Sequence, residues 1–568
     1  MLTTIGISGA EPLVLKEPSF EEEMSSPDKE SDLVVEKKKQ KKEPKGNPNA
    51  FQGILVLGGK DNLWDSRRLK QVNGVFVYDV DLPGSFGEFC QAITPLYFDQ
   101  EMNAETIKAI KNGIYRYFID HERPFVTVSI PEQKISSKVL QVVIQESQMG
   151  SLRVEGNHWI KDKTILGYYK IKEGQPIRSS TLERSISFMN RNPFRTVDAV
   201  FSSGQNPNTT DLTLVVTDQK PYRFYLGIDN SGVPTMGRTR YFAGFNLDQM
   251  FGLDQIFFYQ YTTSQSFHSF QAHTLQYTAY LYREAILSFY GGYSTVHTKL
   301  GFPSKKNSGK SAQGSIRYNG SMPPSGYFSS DFIWGFDYKF TNNNAEFVDT
   351  FPVFTNSVNV FQGVLGFDCK YNSPNNNIAL KAEALFSPGG FLPNSSNTNY
   401  NSLRPDAKNK WIYLRALCKM LFSLPKSYSL NAVIEGQATP NVLIPSEQLG
   451  IGGASTVRGY DERQINGDSG AIASLQLNLP SFGIFSHKKP SLKDSFYFLC
   501  FIDGGYIHDR KFVPFQKVNN YLLSTGLGAR YQLLTYLTGK LDWGIKLHHQ
   551  KTFTGGWSMF QFSVISSF

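Results

Sequence analysis

No run of about eighteen apolar residues occurs anywhere in the 568-residue chain. The mean hydropathy is negative, so no helix is expected to span a bilayer. That excludes helical membrane proteins only, because a transmembrane strand alternates lipid-facing and lumen-facing residues and escapes a hydropathy window. Cysteine is scarce: Cys90, Cys369, Cys418 and Cys500 are far apart and lack the paired spacing of a zinc or redox site. They read as small apolar fillers. No metal constellation such as a helical HExxH occurs, so neither metal nor cofactor is expected. Tryptophan is also rare, with 6 against 44 Phe and 29 Tyr, a bias toward strand formers and interface anchors. The net charge of +9 does not point to nucleic acid. Residues 1–50 hold 8 Lys/Arg against 10 Asp/Glu, which leaves the excess thinly spread over the rest as a solvated basic surface.

What is present divides the chain. The start, "MLTTIGISGAEP", has no basic residue and no long apolar stretch, yet Ser8 and Ala10 carry small-residue signal-peptidase spacing. Two readings stay open, a residual signal peptide or a plain polar start. From Glu11 to Ala50 the sequence is polar, acidic at Glu21–Glu23 and then lysine-rich in "EKKKQKKEPKG", so 1–50 reads as a disordered segment and linker. Residues 51–147 hold an apolar run "GILVLG", a helical stretch with Ile107, Ile110, Ile114 and Phe118 on one face, and two short strands, "PFVTVSI" and "VLQVVIQ". Residues 148–219 repeat the order, with "GSLRVEG", helical "KTILGYYKI" and "STLERSISFMNRN", then "TVDAVFSS" and "DLTLVVTD". Two successive β-α-α-β-β units are a repeat of modules.

From 220 to 568 helical periodicity gives way to strict alternation. Trp334, Phe336, Tyr338 and Phe340 share one face against Gly335, Asp337 and Lys339. Leu541, Trp543, Ile545 and Leu547 stand likewise against Lys540, Asp542, Gly544 and Lys546. About sixteen such segments can be placed, most of roughly 10–13 residues, whereas sandwich strands centre on about five or six. Strands tilted across hydrocarbon need about 9–11. The length and the alternation of short turns, "LYREAI" and "FSLPKS", with long polar ones such as Ser387–Asn409 predict a transmembrane antiparallel β-barrel in contact with outer-membrane lipid. The chain closes on "MFQFSVISSF", an alternating strand ending in Phe568, the form that barrel-assembly machinery reads as a sorting signal.

Three motifs need weighing. "GDSG" around Ser469 is the setting of a serine-protease nucleophile, but His268, His273 and His297 lie on or between barrel-type strands with no flanking motif. No catalytic residue is expected. "SGKS" at Ser308–Ser311 resembles the end of a phosphate-binding loop, but Ser304 stands where the first glycine belongs. It reads as an external loop. The loop 438–469 is longer than connections usually run and is glycine-rich in "LGIGGASTVRGY", with Arg458 at its centre and Gly459 permitting a tight turn. Gly467, Asp468 and Gly470 read as the turn from this loop into the next strand. Downstream, "FYFLCFIDGGY" puts Asp503 on the face of Phe501 and Gly505. If that face is the lumen, Asp503 awaits a cation.

Two modules followed by a barrel, the "VRGYDERQINGDSGAIASLQL" loop and strand, and the "FIDGG" strand resemble the outer-membrane transporters of two-partner secretion, the haemolysin-activator and filamentous-haemagglutinin-transporter family. The modules resemble polypeptide-transport-associated domains, with "ERPFVTVSIPEQKI" closing the first and "NRNPF" with "NTTDLTLVV" in the second, and "RFYLGIDNSG" resembles the first barrel strand. The likeness covers about residues 52–568. It departs in the N-terminal region, where the family's plug helix would stand but no helical pattern is evident, and in an insertion-like "VNGVFVYDVDLPG".

The resemblance implies that the loop folds into the barrel and that Arg458, in the motif Val457, Arg458, Gly459, Tyr460, pairs with Asp503 as a latch. It also implies periplasmic modules that capture an unfolded, secreted β-helical partner protein by strand addition. The protein is then expected to be monomeric, non-enzymatic and in the outer membrane of a Gram-negative bacterium. A barrel-assembly insertase of the same superfamily is the alternative, though it usually carries more modules. A plain porin would lack the modules and the Arg loop.

Overall fold

The computed structural model describes residues 50–133, 137–297, 308–343, 354–390, 392–486, 492–511, 518–549 and 556–568. The expectations for residues 1–49 lie outside the described residues.

The first α/β unit is a sheet in the order Gly74–Tyr78, Gly53–Leu57, Val139–Glu146, Val126–Ser129, the first three parallel and the last antiparallel. Helices Phe86–Tyr97 and Ala104–Asp120 cover one face, and Phe89, Ile93, Ile110, Ile114 and Phe118 bury against Ile54, Val56, Leu140 and Val142. The apolar stripe of "NAETIKAIKNGIYRYF" is therefore the buried one. Two elements go beyond the sequence reading. The insertion-like stretch supplies an edge strand, Gly74–Tyr78, that lengthens the sheet to four strands. The helix Phe86–Tyr97 opens on a capping box, in which the Glu88 N–H donates to Ser85 Oγ at 3.3 Å and the Ser85 N–H to Glu88 Oε2 at 2.9 Å. Arg123 is buried between Asp81 and Glu146 at 3.0 and 3.1 Å. Burial lifts the Glu146 carboxyl above its usual range, against the pull of Arg123.

The second unit is three-stranded, with Thr209–Asp218 between Gln148–Glu155 (parallel) and Arg195–Ser203 (antiparallel), under helices Asp162–Tyr168 and Ser179–Met189. Asp218, at the end of its central strand, accepts from the N–H groups of His158, Trp159 and Ile160 and so ties down the turn before the first helix. Burial works to raise this carboxyl, but the three N–H donors outweigh it and hold the group below the usual carboxylate range.

From Tyr222 the chain forms a closed barrel of sixteen antiparallel strands, sealed by Ser558–Ser567 against Tyr222–Asp229. Alternation sets the faces. Phe332, Trp334, Phe336 and Tyr338 are exposed on the outer wall, while Asp331, Ile333 and Asp337 are buried inside. An exposed aromatic wall of this extent has hydrocarbon as its natural surrounding. "SGKS" is not a loop: it begins the strand Ser308–Ser321 and pairs with Ala285–His297.

The second unit is fastened to the turns where the barrel strands begin. Arg195 makes a two-pronged pair with buried Asp254, at 2.9 and 2.5 Å. Tyr168 Oη and Asn192 Nδ2 donate to the same carboxylate at 2.7 and 2.8 Å. Arg191 pairs doubly with Asp331, and Arg184 and Lys170 both meet Glu284. Arg191 and Asn192 belong to the "NRNPF" stretch, so that motif faces the barrel.

Candidate functional site

The segment between strands Tyr428–Ala438 and Ser469–Asn478 enters the barrel. It carries a small antiparallel hairpin of its own, Leu449–Ile451 with Ile465–Gly467, and its tip spans 452–464. Local conformation explains the glycines here: Gly452, Gly453 and Gly459 have φ of 113°, 103° and 89°, a region L side chains rarely adopt. Val457 at the tip buries among Leu449, Ile451, Ile472, Ile507 and Leu522, which anchors the hairpin to the inner wall.

Next to Val457, Arg458 meets Asp503. Its Nε donates to Asp503 Oδ2 at 2.8 Å and its Nη2 to Oδ1 at 2.9 Å, and its backbone N–H donates to Oδ2 at 3.1 Å. Nη1 donates to Gln476 Oε1 at 2.8 Å and Nη2 to Ser474 Oγ at 3.3 Å. Ser474 Oγ donates in turn to Asp503 at 2.6 Å. The guanidinium lies 3.5 Å from the centroid of Phe501, and Asp542 stands 3.8 Å from Nη1. Asp503 is fully buried, on the inward face with Phe501. The pair is charge-assisted, bidentate and stacked, a geometry that lysine cannot reproduce.

The neighbours of Arg458 extend the attachment. Gly459 N–H donates to Gln561 Oε1 at 3.0 Å, and its Cα lies so near the wall that an added Cβ would stand 2.9 Å from the Gly544 carbonyl carbon. Tyr460 is fully buried, with Oη donating to the carbonyls of Leu523, at 2.9 Å, and His548. Asp461 accepts from Arg238 at 2.9 and 3.1 Å. Nearer the loop's start, buried Glu447 takes Lys339 Nζ at 2.8 Å and Tyr413 Oη at 3.0 Å. The tip is thus bound along one arc of the wall, the consecutive strands from Ser469–Asn478 to Ser558–Ser567. Chemically this arrangement holds a loop, since the Arg458 donors are engaged by acceptors in the wall.

The turn expected at Gly467, Asp468 and Gly470 is narrower than expected, a bend at Asp468 alone. Gly467 ends the hairpin strand and Gly470 lies within Ser469–Asn478, paired with Gln437 and Ile507. The chain passes from one ladder into the next because the buried Asp468 carboxylate, held by Arg404 and by the Leu443 and Arg510 N–H groups, secures the junction. Ser469 Oγ accepts from Thr439 N–H at 3.2 Å. His508 is its partner across the ladder, but the imidazole Nδ1 goes to Asn519 at 2.8 Å. Phe568 bonds the backbone of Phe224 in both directions, at 2.8 and 3.2 Å, completing the seam.

No sequence motif marks Ser474, Gln476 or Gln561, and Asp542 is marked only by its place on the polar face of an alternating strand. Their signal is the polar residue between outward apolar ones, as Gln561 between Phe560 and Phe562.

A family model described as haemolysin secretion/activation protein ShlB/FhaC/HecB matches residues 208–531. Among curated proteins, the outer membrane transporter CdiB of Dickeya dadantii is 23% identical over 434 residues, 74% of this chain and 73% of that one. The heme/hemopexin transporter protein HuxB of Haemophilus influenzae is 21% identical over 406 residues, 68% of each chain. Among solved structures, CdiB from Escherichia coli superposes with a TM-score of 0.74 at 16% identity, covering 93% of both chains, and CdiB from Acinetobacter baumannii with 0.65 at 16%, covering 91% and 90%. These two likenesses show the fold.

Proposed function

The chain belongs to the haemolysin secretion/activation protein family ShlB/FhaC/HecB, and from that premise we propose how it performs the family's transport of a secreted partner protein. It is an outer-membrane transporter, with the barrel in the membrane and the N-terminal units in the periplasm. The relatives bear transporter names, which favours export over the insertase alternative.

The observation that carries the mechanism is the loop tip held inside the barrel against buried Asp503. Arg458 acts as a latch within the motif Val457, Arg458, Gly459, Tyr460, keeping the loop inside until the partner displaces it. Removing one member of a buried pair strands the other, at a cost of about 3–5 kcal/mol. The domains are 51–147 and 148–219, two polypeptide-transport-associated modules, and 220–568, the barrel. Sheet edges support capture of an unfolded partner by strand addition, with Gly74–Tyr78 and Val126–Ser129 bordering the first sheet. The partner is a secreted β-helical protein, and its folding outside supplies the drive. The transporter works as a monomer and catalyses no covalent chemistry.

The test is export. With the protein partner encoded beside it, wild type should deliver that partner to the medium, whereas Arg458→Ala should insert normally and secrete poorly. Unimpaired export by R458A removes the latch, and no export by wild type removes that partner assignment.

A further inference from the structure

Asp468 has a second role beyond joining two ladders. Its carboxylate draws together three segments at the outer end of the barrel. Leu443 N–H, from the entry limb of the inward loop, and Arg510 N–H, from the segment after strand Asp494–His508, each donate to it at 2.9 Å. The third segment, 392–410, lies between strands Asn376–Ser387 and Trp411–Leu424 and sends in Arg404. Its Nη1 meets Asp468 Oδ1 and donates to Leu443 O at 2.6 Å, while Nη2 reaches Asp468 Oδ2 and Asp509 Oδ1, both at 3.1 Å. Arg404 and both carboxylates are buried, so this is a desolvated cation between two anions, not a rim contact screened by water.

The direction in which 392–410 folds is read from what it covers. Trp411 and Tyr413 are 5% and 3% exposed, whereas Ile412 and Leu414 are 45% and 58% exposed on the outer wall. The helix Asn397–Leu403 seats Tyr400 and Leu403 in one cluster with Trp411 and Tyr413, together with Leu443 and Ile444 of the inward loop. It packs on lumen-facing residues and therefore tucks over the opening. Tyr400 Oη donates to Asn359 O at 3.2 Å, tying the helix to the inner side of strand Phe354–Asn372, next to the strand the segment leaves.

We propose that segment 392–410 is an outer lid and that Arg404, through Asp468 and Asp509, is the positioning residue that locks it, in series with the Arg458 latch deeper in the lumen. The inference rests on the transporter reading, since a lid has meaning only over a conduit. An exported chain then has two closures to pass, an inner one made by a loop tip and an outer one made by a tucked helix. Both hang on the same inward loop, because Leu443 belongs to its entry limb and Arg458 to its tip. Displacing the tip would loosen the lid's seat from within.

The experiment is tryptic cleavage of the full-length protein on intact cells, read at Lys408 and Lys410. Asn409 between them is buried and bonded, donating to Ser395 O at 2.6 Å and accepting from Ser387 Oγ at 2.8 Å. Cleavage there requires the lid to leave its seat. Arg404→Gln is expected to be cut at least about tenfold faster than wild type, an opening equilibrium moved by about 1.4 kcal/mol, while its unheated gel band keeps the wild-type migration of a closed barrel. Unchanged cleavage overturns the lock. So does faster cleavage accompanied by loss of the fast-migrating band, because Arg404 would then be a general support of the barrel. Should R404Q not assemble, Asp509→Asn, which leaves the Arg404–Asp468 pair in place, serves instead: faster cleavage with the barrel intact supports the lid, and wild-type cleavage overturns it. Cleavage reads the lid and partner secretion reads the transporter, so the two readings fail separately.

Discussion

Gly459 illustrates how closely the loop tip is fitted to the wall. Its φ of 89° already favours glycine, and Gly544 opposite leaves no space: a Cβ there would stand 2.5 Å from the Gly459 nitrogen. Backbone meets backbone, which only two glycines allow. Gly459→Ala is therefore expected to cost about 1–3 kcal/mol in local strain and to push Arg458 off Asp503. The measurement is partner secretion together with the temperature at which the unheated band is lost. Secretion should fall as in R458A with at most a small drop in that temperature, and wild-type secretion would show that the close approach is dispensable. At this scale the Arg and the Asp were legible because each is a charge in an otherwise apolar or glycine-rich setting. Ser474, Gln476 and Gln561 were not, since alternation assigns a face and says nothing of which inward residues converge.

Elements were legible where a single period ran long enough. The stripe of Ala104–Asp120 and the alternation of Phe328–Asn343 are of this kind. The helix Phe86–Tyr97, one of the two that the β-α-α-β-β order calls for, is not placed by periodicity: it is short, contains Pro95 and is announced chiefly by its capping box at Ser85 and Glu88. The edge strand Gly74–Tyr78 looked like an insertion because its place beside Gly53–Leu57 depends on a parallel pairing across 21 positions, Gly53 with Gly74. At Gly467, Asp468 and Gly470 composition suggests a turn, whereas a buried carboxylate reduces the junction to a bend at Asp468 between two strands. The two units also differ in attachment. The second is bound to the barrel through Arg195, Arg191 and Asn192, whereas the first has its own core. Deleting residues 52–146 should accordingly abolish partner binding and leave a barrel that still folds. Binding retained by the deletion, measured by pull-down of the unfolded partner, would move recognition to the second unit.

For the whole molecule, the closed ladder of sixteen strands leaves no free edge in the membrane, and every strand is bonded to two neighbours. Such a barrel resists detergent at room temperature. The unheated protein should run faster on a gel than the boiled one, and a single migration regardless of heating would contradict the closed barrel.

The linear chain determined the order of two α/β units and a barrel, the faces of its strands, and the candidates Arg458 and Asp503, because these follow from periodicity and from isolated charge. Tertiary structure alone decided that Ser474, Gln476, Phe501 and Gln561 gather round Arg458 and Gly459, that "NRNPF" faces the barrel, and that Asp468 and Arg404, 64 residues apart, share a buried site. Convergence of that kind depends on strand tilt and register around a closed cylinder, which no local pattern in the chain encodes.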